Sequence, residues 1–259
     1  ISQALLAASR TVGEHCCHSI HALFLRPGDP SMPILYEVSD VKDGRSYRRR
    51  EVVATQDGKQ ILRVLASFHL PETGPEHQEP MPAAAEPETL ISEREIALKL
   101  IKKAPTANPE FLSKVWPMEI RPLDPPYPRD KISADFRAWF RVPHLTTSEL
   151  TAHQCLLAYM SDFALLDTSL RPHGHSILHP SVHLASLDHA MWFHRRFRAD
   201  DWLLLCKTSP SAHGGRGFGR GVVYDRAGRL IASMAQEGVM RVECDPTSLE
   251  TGDSPSSQH

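Results

Sequence analysis

The sequence has too few cysteines, in the wrong pattern, for a disulfide framework or a structural zinc site: five, at 16, 17, 155, 206 and 244, with no CxxC spacing. That usage fits a reducing compartment. Runs of about 18 apolar residues are missing, which excludes an ordinary membrane-spanning helix, and nothing at the start reads as a signal peptide. Charge of one sign is not in surplus. With 29 Lys+Arg against 31 Asp+Glu the formal net charge is -2, which argues against a nucleic-acid partner held mainly by phosphate neutralisation. The G-x-S-x-G elbow that exposes a nucleophilic serine is missing too. The chain opens at Ile1, without Met and without a capping residue before its first helical spacing, and is expected to be a fragment. What is present, 259 residues with 41% apolar and 23% charged, suffices for one large globular domain or two small ones.

Hydrophobic spacing organises the chain. Ala4, Leu5, Ala8 and Val12 predict a first helix. HSIHALFL and PILYEVSDV read as strands, and SYRRREVVAT and ILRVLASF as two more, joined through Asp57-Gly58, a hairpin signal. Residues 71–87, rich in Pro, Glu and Ala, predict an exposed connection, and Ser92 with Glu95 has the capping-box spacing of a short helix carrying Ile96, Ala97, Leu100 and Ile101 on one face. ISADFRAWFRV (132–142) alternates as a half-buried antiparallel strand. Thr146 and Glu149 form a second capping-box pattern, opening a helix that is apolar almost all round. The opening pattern then returns. SLDHAMWFHRRF resembles HSIHALFLRPGD, with His21 and His189 168 residues apart, and VVYDRAGRLIASMAQ matches VVATQDGKQILRVLA, with Gly58 and Gly228 170 apart. A period near 170 predicts two copies of one helix-on-antiparallel-sheet unit. A sheet closed on its helix leaves little room for a pocket inside either copy, so a site is expected between them, and the two sheets are expected to meet edge to edge.

Polar residues stand where the pattern asks for apolar ones. Asp162 lies on the buried helix among Ala158, Tyr159, Leu165 and Leu166; Ser186 shares a strand face with Val182 and Leu184; Gln236 shares one with Ala232 and Met234. Each alone reads as a buried polar group satisfied by neighbouring backbone. Together, a carboxylate, a hydroxyl and an amide converging from a helix and two strands are the parts needed to hold and deprotonate a water. His179, His183, His189 and His194 do not have the helical HExxH pattern of a zinc site, so no metal is expected. The glycines of HGGRGFGRG (213–221) precede a strand rather than a helix and read as a bulged or tightly turned strand start, not a phosphate cradle. Arg195, Arg196, Arg216 and Arg220 read as solvated strand ends, and Cys16 and Cys17 as free thiols.

"FLRPGD" (24–29), "DGRSYRRR" (43–50), "SDFALL" (161–166), "LDHAMWFHRRFRADDWLL" (187–204) and "AQEGVMRV" (235–242) resemble the type II acyl-coenzyme A thioesterases, the group of the bacterial medium- and long-chain enzyme and the peroxisomal acyl-CoA thioesterase. The likeness runs from residue 1 to about 242. It implies an α+β double hotdog, each hotdog a long helix wrapped by an antiparallel sheet, and a catalytic Asp, Thr or Ser, and Gln that fall on Asp162, Ser186 and Gln236. The reaction it implies is hydrolysis of medium- to long-chain fatty acyl-CoA by direct water attack, without cofactor. A non-hydrolytic acyl-CoA binder is the alternative, and a hydratase on the same fold comes third. The group's "FGGQ" turn has no counterpart here, so the first hotdog is expected to be truncated at its front; the ending Ser257-Gln258-His259 is not of SKL type, leaving the compartment as cytoplasm or peroxisome. The expected division is a first repeat over 1–70, a linker over 71–130, a second repeat over 131–242 carrying the site, and a disordered polar tail over 243–259. A homo-oligomer is expected.

Overall fold

The computed structural model describes residues 1–103, 118–127, 130–163, 165–177, 179 and 181–242; the tail expected over 243–259 lies outside the described residues. Helix α1 (Ser2–Ser9) buries Ala4, Leu5 and Ala8 completely. Strands β1 (Cys16–Phe24), β2 (Leu35–Asp43), β3 (Tyr47–Gln56) and β4 (Lys59–His69) follow. Asp57 and Gly58 take φ of 47° and 69°, the paired positive values that let a two-residue turn match the twist of β3 and β4. Helix α2 (Glu93–Lys103) is capped as its spacing implies, the Glu95 N–H donating to Ser92 Oγ at 3.3 Å. Ala97 on its expected apolar face is buried. Then come β5 (Glu119–Pro122), β6 (Phe136–Arg141), α3 (Leu150–Phe163), β7 (Val182–Ser186), β8 (Asp188–Phe193), β9 (Leu203–His213), β10 (Arg216–Asp225) and β11 (Leu230–Val242).

Among the described residues one sheet contains every strand, in the order β2-β3-β4-β1-β8-β11-β10-β9-β6-β5, with β7 also on β11. Around the central β1–β8 pair the order is a mirror: hairpin β3–β4 and edge β2 answer to β10–β11 and β9. The join is antiparallel, with His21 opposite Ala190 and Ala22 opposite His189, so the copies meet edge to edge as expected. α1 packs on α3. A continuous core of α1, α3 and the inner faces of the sheet includes Leu5, Ile20, Val64, Leu157, Met191 and Ile231.

Three local expectations give way. The strand expected from Ile132 begins only at Phe136, because Ser133 Oγ and Asp135 bond each other in a turn and the Ile132 N–H donates to the Arg171 carbonyl instead. Nor is β6 half-buried. Its outer residue Trp139 is 2% exposed, packed with Trp202, Leu204 and Tyr224 in a second core under the connection at 78–90. That connection is exposed but fixed, since Trp139 Nε1 donates to the Ala85 carbonyl and Gln78 bonds both Gly228 O and Leu230 N. Finally, α3 begins at Leu150, and the Glu149 N–H is taken by Thr147 Oγ1 at 3.1 Å, so the capping box expected from Thr146 does not form. The nearer hydroxyl wins because an ST-turn spans only two residues.

Candidate active site

The period-2 pattern of β11 points Ala232, Met234 and Gln236 inward, and Gln236 is completely buried. Opposite it in β10 stands Gly219, which has no side chain to occupy the space. Ser186 arrives by a break in its strand. Ala190 pairs with Ala235 and Ser186 with Gly238, so the β7–β8 side advances four residues while β11 advances three. The extra residue is accommodated at Leu187, whose N–H donates to Glu237 O, while the Glu237 N–H donates to Asp188 Oδ1. Asp162 comes from the last turn of α3. Beyond it the chain enters a 3₁₀ turn (Leu166–Ser169) laid over glycines of the sheet. A Cβ at Gly219 would come 2.6 Å from Leu165 O, and one at Gly238 would come 2.8 Å from Ala185 O. The glycines of the 213–221 segment thus have two uses. Gly214 and Gly215 turn the hairpin with positive φ, and the inward-facing ones of β10 let the end of α3 approach the sheet.

Here the three side chains named from the sequence come together. Gln236 Nε2 donates to Asp162 Oδ1 at 2.6 Å and to Ser186 Oγ at 2.7 Å, and Ser186 Oγ donates to Asp162 Oδ1 at 3.3 Å. Both amide protons are used in holding the other two groups. Both bonds to Asp162 fall on Oδ1. Gln236 Oε1 is buried without a protein partner among the described residues.

His189 belongs to this cluster, although the strand pattern does not place it there. Counting in twos from Ser186 puts it on the opposite face; the extra residue at Leu187 turns it inward. It is 1% exposed, with Nε2 2.9 Å from Ser161 Oγ, whose own proton is donated to the Ala158 carbonyl. Burial holds the His189 imidazole below its ordinary pKa, against the opposing pull of Asp162 and of the Gln236 side chain, so it is neutral at pH 7. Among the described residues no group of His, Cys, Asp and Glu could hold a metal ion, and His179, His183 and His194 lie elsewhere: His179 bonds Ser181, and His194 bonds Ser233.

The first copy has no counterpart. At the register positions matching Gln236, Gly219, Gly238 and Ser186 stand Ala66, Arg50, Phe68 and Cys17. Arg50 is 1% exposed and is bound by Asp40, Asp43 and Thr11. All three of Asp162, Ser186 and Gln236 therefore come from the second copy, not from both.

A cavity of about 50 Å³ lies inside that copy, between α3 and the sheet, where little room is expected. Met118, Met160 and Met234 form part of its wall. Ser161, next to Asp162, and Met234, two residues before Gln236, line it.

Residues 110–239 match the family model described as acyl-CoA thioesterase, and residues 1–69 match that of the acyl-CoA thioesterase N-terminal domain. Acyl-CoA thioesterase 2 of Haemophilus influenzae is 38% identical over 93% of this chain and 85% of its own. Human acyl-coenzyme A thioesterase 8 is 38% identical over 94% of this chain and 79% of its own. The crystal structure of an acyl-CoA thioesterase II, TesB2, from Mycobacterium marinum superposes with a TM-score of 0.75 at 35% identity, covering 93% of this chain and 87% of the other.

Proposed function

The chain belongs to the acyl-CoA thioesterase family and hydrolyses acyl-CoA to a free acid and coenzyme A, and from that premise we propose that Asp162, Ser186 and Gln236 carry the reaction by direct attack of water. The observation that supports this reading is the meeting of all three side chains on Asp162 Oδ1 and Gln236 Nε2. A water at Asp162 Oδ2 gives its proton to the carboxylate as its oxygen bonds to the thioester carbon. The carbon–sulfur bond then breaks, and the proton passes to the departing coenzyme A thiolate. Gln236 fixes the carboxylate and, through its amide, the polarity around the tetrahedral intermediate. Backbone amides nearby are assigned the developing oxyanion. Ser186 positions and does not attack: its hydroxyl sits on a strand, not on a strained elbow, and its neighbours are an amide and a carboxylate.

Medium to long acyl chains are the proposed substrates. We divide the chain into a first hotdog over 1–70, a linker over 71–130 and a catalytic hotdog over 131–242. The compartment we assign is the cytoplasm or the peroxisome, those of the bacterial and peroxisomal enzymes it resembles.

Ser186→Ala tests the mechanism. The variant is expected to keep appreciable turnover of octanoyl-CoA in a thiol-release assay, with no acyl-enzyme burst in either form. A wild-type burst, together with a dead variant, would instead make Ser186 the nucleophile.

A further inference from the structure

A second buried polar group lies along the same cavity, and the hydrolytic chemistry does not use it. Lys207 on β9 is 4% exposed and forms an ion pair with Asp167 of the 3₁₀ turn at 2.5 Å. The Lys207 ammonium also stands over the Phe136 ring, 4.6 Å from its centroid. Beside it the Tyr127 hydroxyl donates to Glu93 Oε1 at 2.7 Å. All five residues line the cavity. Burial raises the Glu93 carboxyl above its ordinary pKa, and Lys207 and Asp167 are near enough to act on it as well. A desolvated ion pair is costly to place inside an apolar cleft, and a core position that only needed filling is better served by a hydrophobic residue.

Register gives the direction. Met234 pairs with Gly221, Gly221 with Lys207, and Lys207 with Phe136, so one rung crosses the inner face from the catalytic strand to the edge of the sheet. Gly221 lets Lys207 and Met234 draw together over it: a Cβ there would sit 3.2 Å from Cys206 O and 3.4 Å from both Lys207 Cβ and Met234 Cγ. Two strand spacings, about 10 Å, separate Met234 from Lys207 along this rung. The cavity is narrow as it stands, and methionines form part of its wall, side chains that re-pack at little cost.

Resting on the proposed catalytic trio, we infer that this cavity receives the acyl chain, and that the Asp167–Lys207 pair, backed by Glu93 and Tyr127, closes its far end and limits the chain length. An acyl chain threaded from the trio past Ser161 and Met234 meets the ion pair after a medium length. A longer chain must press its terminal methyl against charges that have no water to turn to, a cost paid in the transition state as well as in binding.

The test compares kcat/KM for octanoyl-CoA and palmitoyl-CoA, by thiol release, in wild type and in the double variant Asp167→Leu/Lys207→Met. Wild type is expected to favour octanoyl-CoA, and the double variant to raise the palmitoyl-to-octanoyl ratio by about ten-fold or more, the scale at which apolar pockets discriminate by size. Glu93→Gln and Tyr127→Phe, which keep volume, are expected to move the ratio the same way by a smaller factor, and they carry the test where the double variant does not fold. A ratio unchanged across the folded variants overturns the inference. Failure of the trio itself would look different: Asp162→Asn would then still hydrolyse octanoyl-CoA.

Discussion

At the scale of single residues, the site depends on Gln236 being an amide. A carboxylate there would repel Asp162, and an alkyl group would leave Asp162 Oδ1 and Ser186 Oγ without their common donor. The same neighbourhood sets the response to acid. His189 is buried and neutral, with its pKa lowered from 6.5 by desolvation. In the unfolded chain the imidazole recovers its ordinary value, so below that value the unfolded state binds the extra proton and folding stability is lost as pH falls. The contribution is complete above about pH 6.5 and declines below it. Buried His153, half-buried His18 and His175, and exposed His194 are shifted in the same direction and add to the effect. Thermal melts are therefore expected to show a lower Tm at about pH 5.5 than at about pH 7.5, and His189→Asn to shrink that difference. A variant with the full wild-type difference would show that His189 is not held neutral by the fold.

At the scale of elements, the copies differ in how closely a helix approaches its sheet. The end of α3 and the 3₁₀ turn lie on backbone at Gly219 and Gly238, which puts Asp162 within reach of Gln236. Gly219→Ala sets a methyl against the Leu165 carbonyl, which is backbone and cannot swing away. It is expected to cost roughly 1–3 kcal/mol of stability and to lower kcat more than it raises KM, because the displaced element carries Asp162. Unchanged urea denaturation and kinetics would contradict the packing described. These relations also mark what the sequence discloses. Alternation and duplication were enough to place β1, β3, β4, β10 and β11, the Asp57-Gly58 turn, and the inward direction of Gln236, because period-2 burial is a local property. Polar residues at apolar positions grouped Asp162 and Ser186 with it, and the resemblance implied their catalytic roles. What the pattern hid depends on contacts between distant segments. The extra residue at Leu187 reverses the faces between Ser186 and His189 and so conceals the histidine. The outer burial of Trp139 comes from a connection more than fifty residues away in the chain. The glycines of β10 look like turn residues until the helix that rests on them is known.

At the scale of the whole molecule, joining β1 to β8 gives one chain the paired arrangement that two single-hotdog chains would otherwise supply, and leaves β2 and β5 as the ends of the path. Edge strand β2 exposes Leu35 and Val41, at 60% and 54%, an apolar edge that self-association would cover. Light scattering is expected to find a dimer or larger; a species of 29.0 kDa alone would contradict the homo-oligomer. Duplication did not duplicate the chemistry. With Ala66, Arg50 and Cys17 at the matching positions, the first copy has no carboxylate–amide–hydroxyl cluster, and on the proposed mechanism every turnover passes through Asp162. Steady-state thiol release by Asp162→Asn is the most direct measurement of that claim. The substitution keeps shape and hydrogen-bonding reach but removes proton acceptance, so kcat is expected to fall roughly 10²- to 10⁴-fold with little change in acyl-CoA binding. Turnover near the wild-type rate, or near half of it, would contradict the account, the first by removing Asp162 from the chemistry and the second by revealing another site.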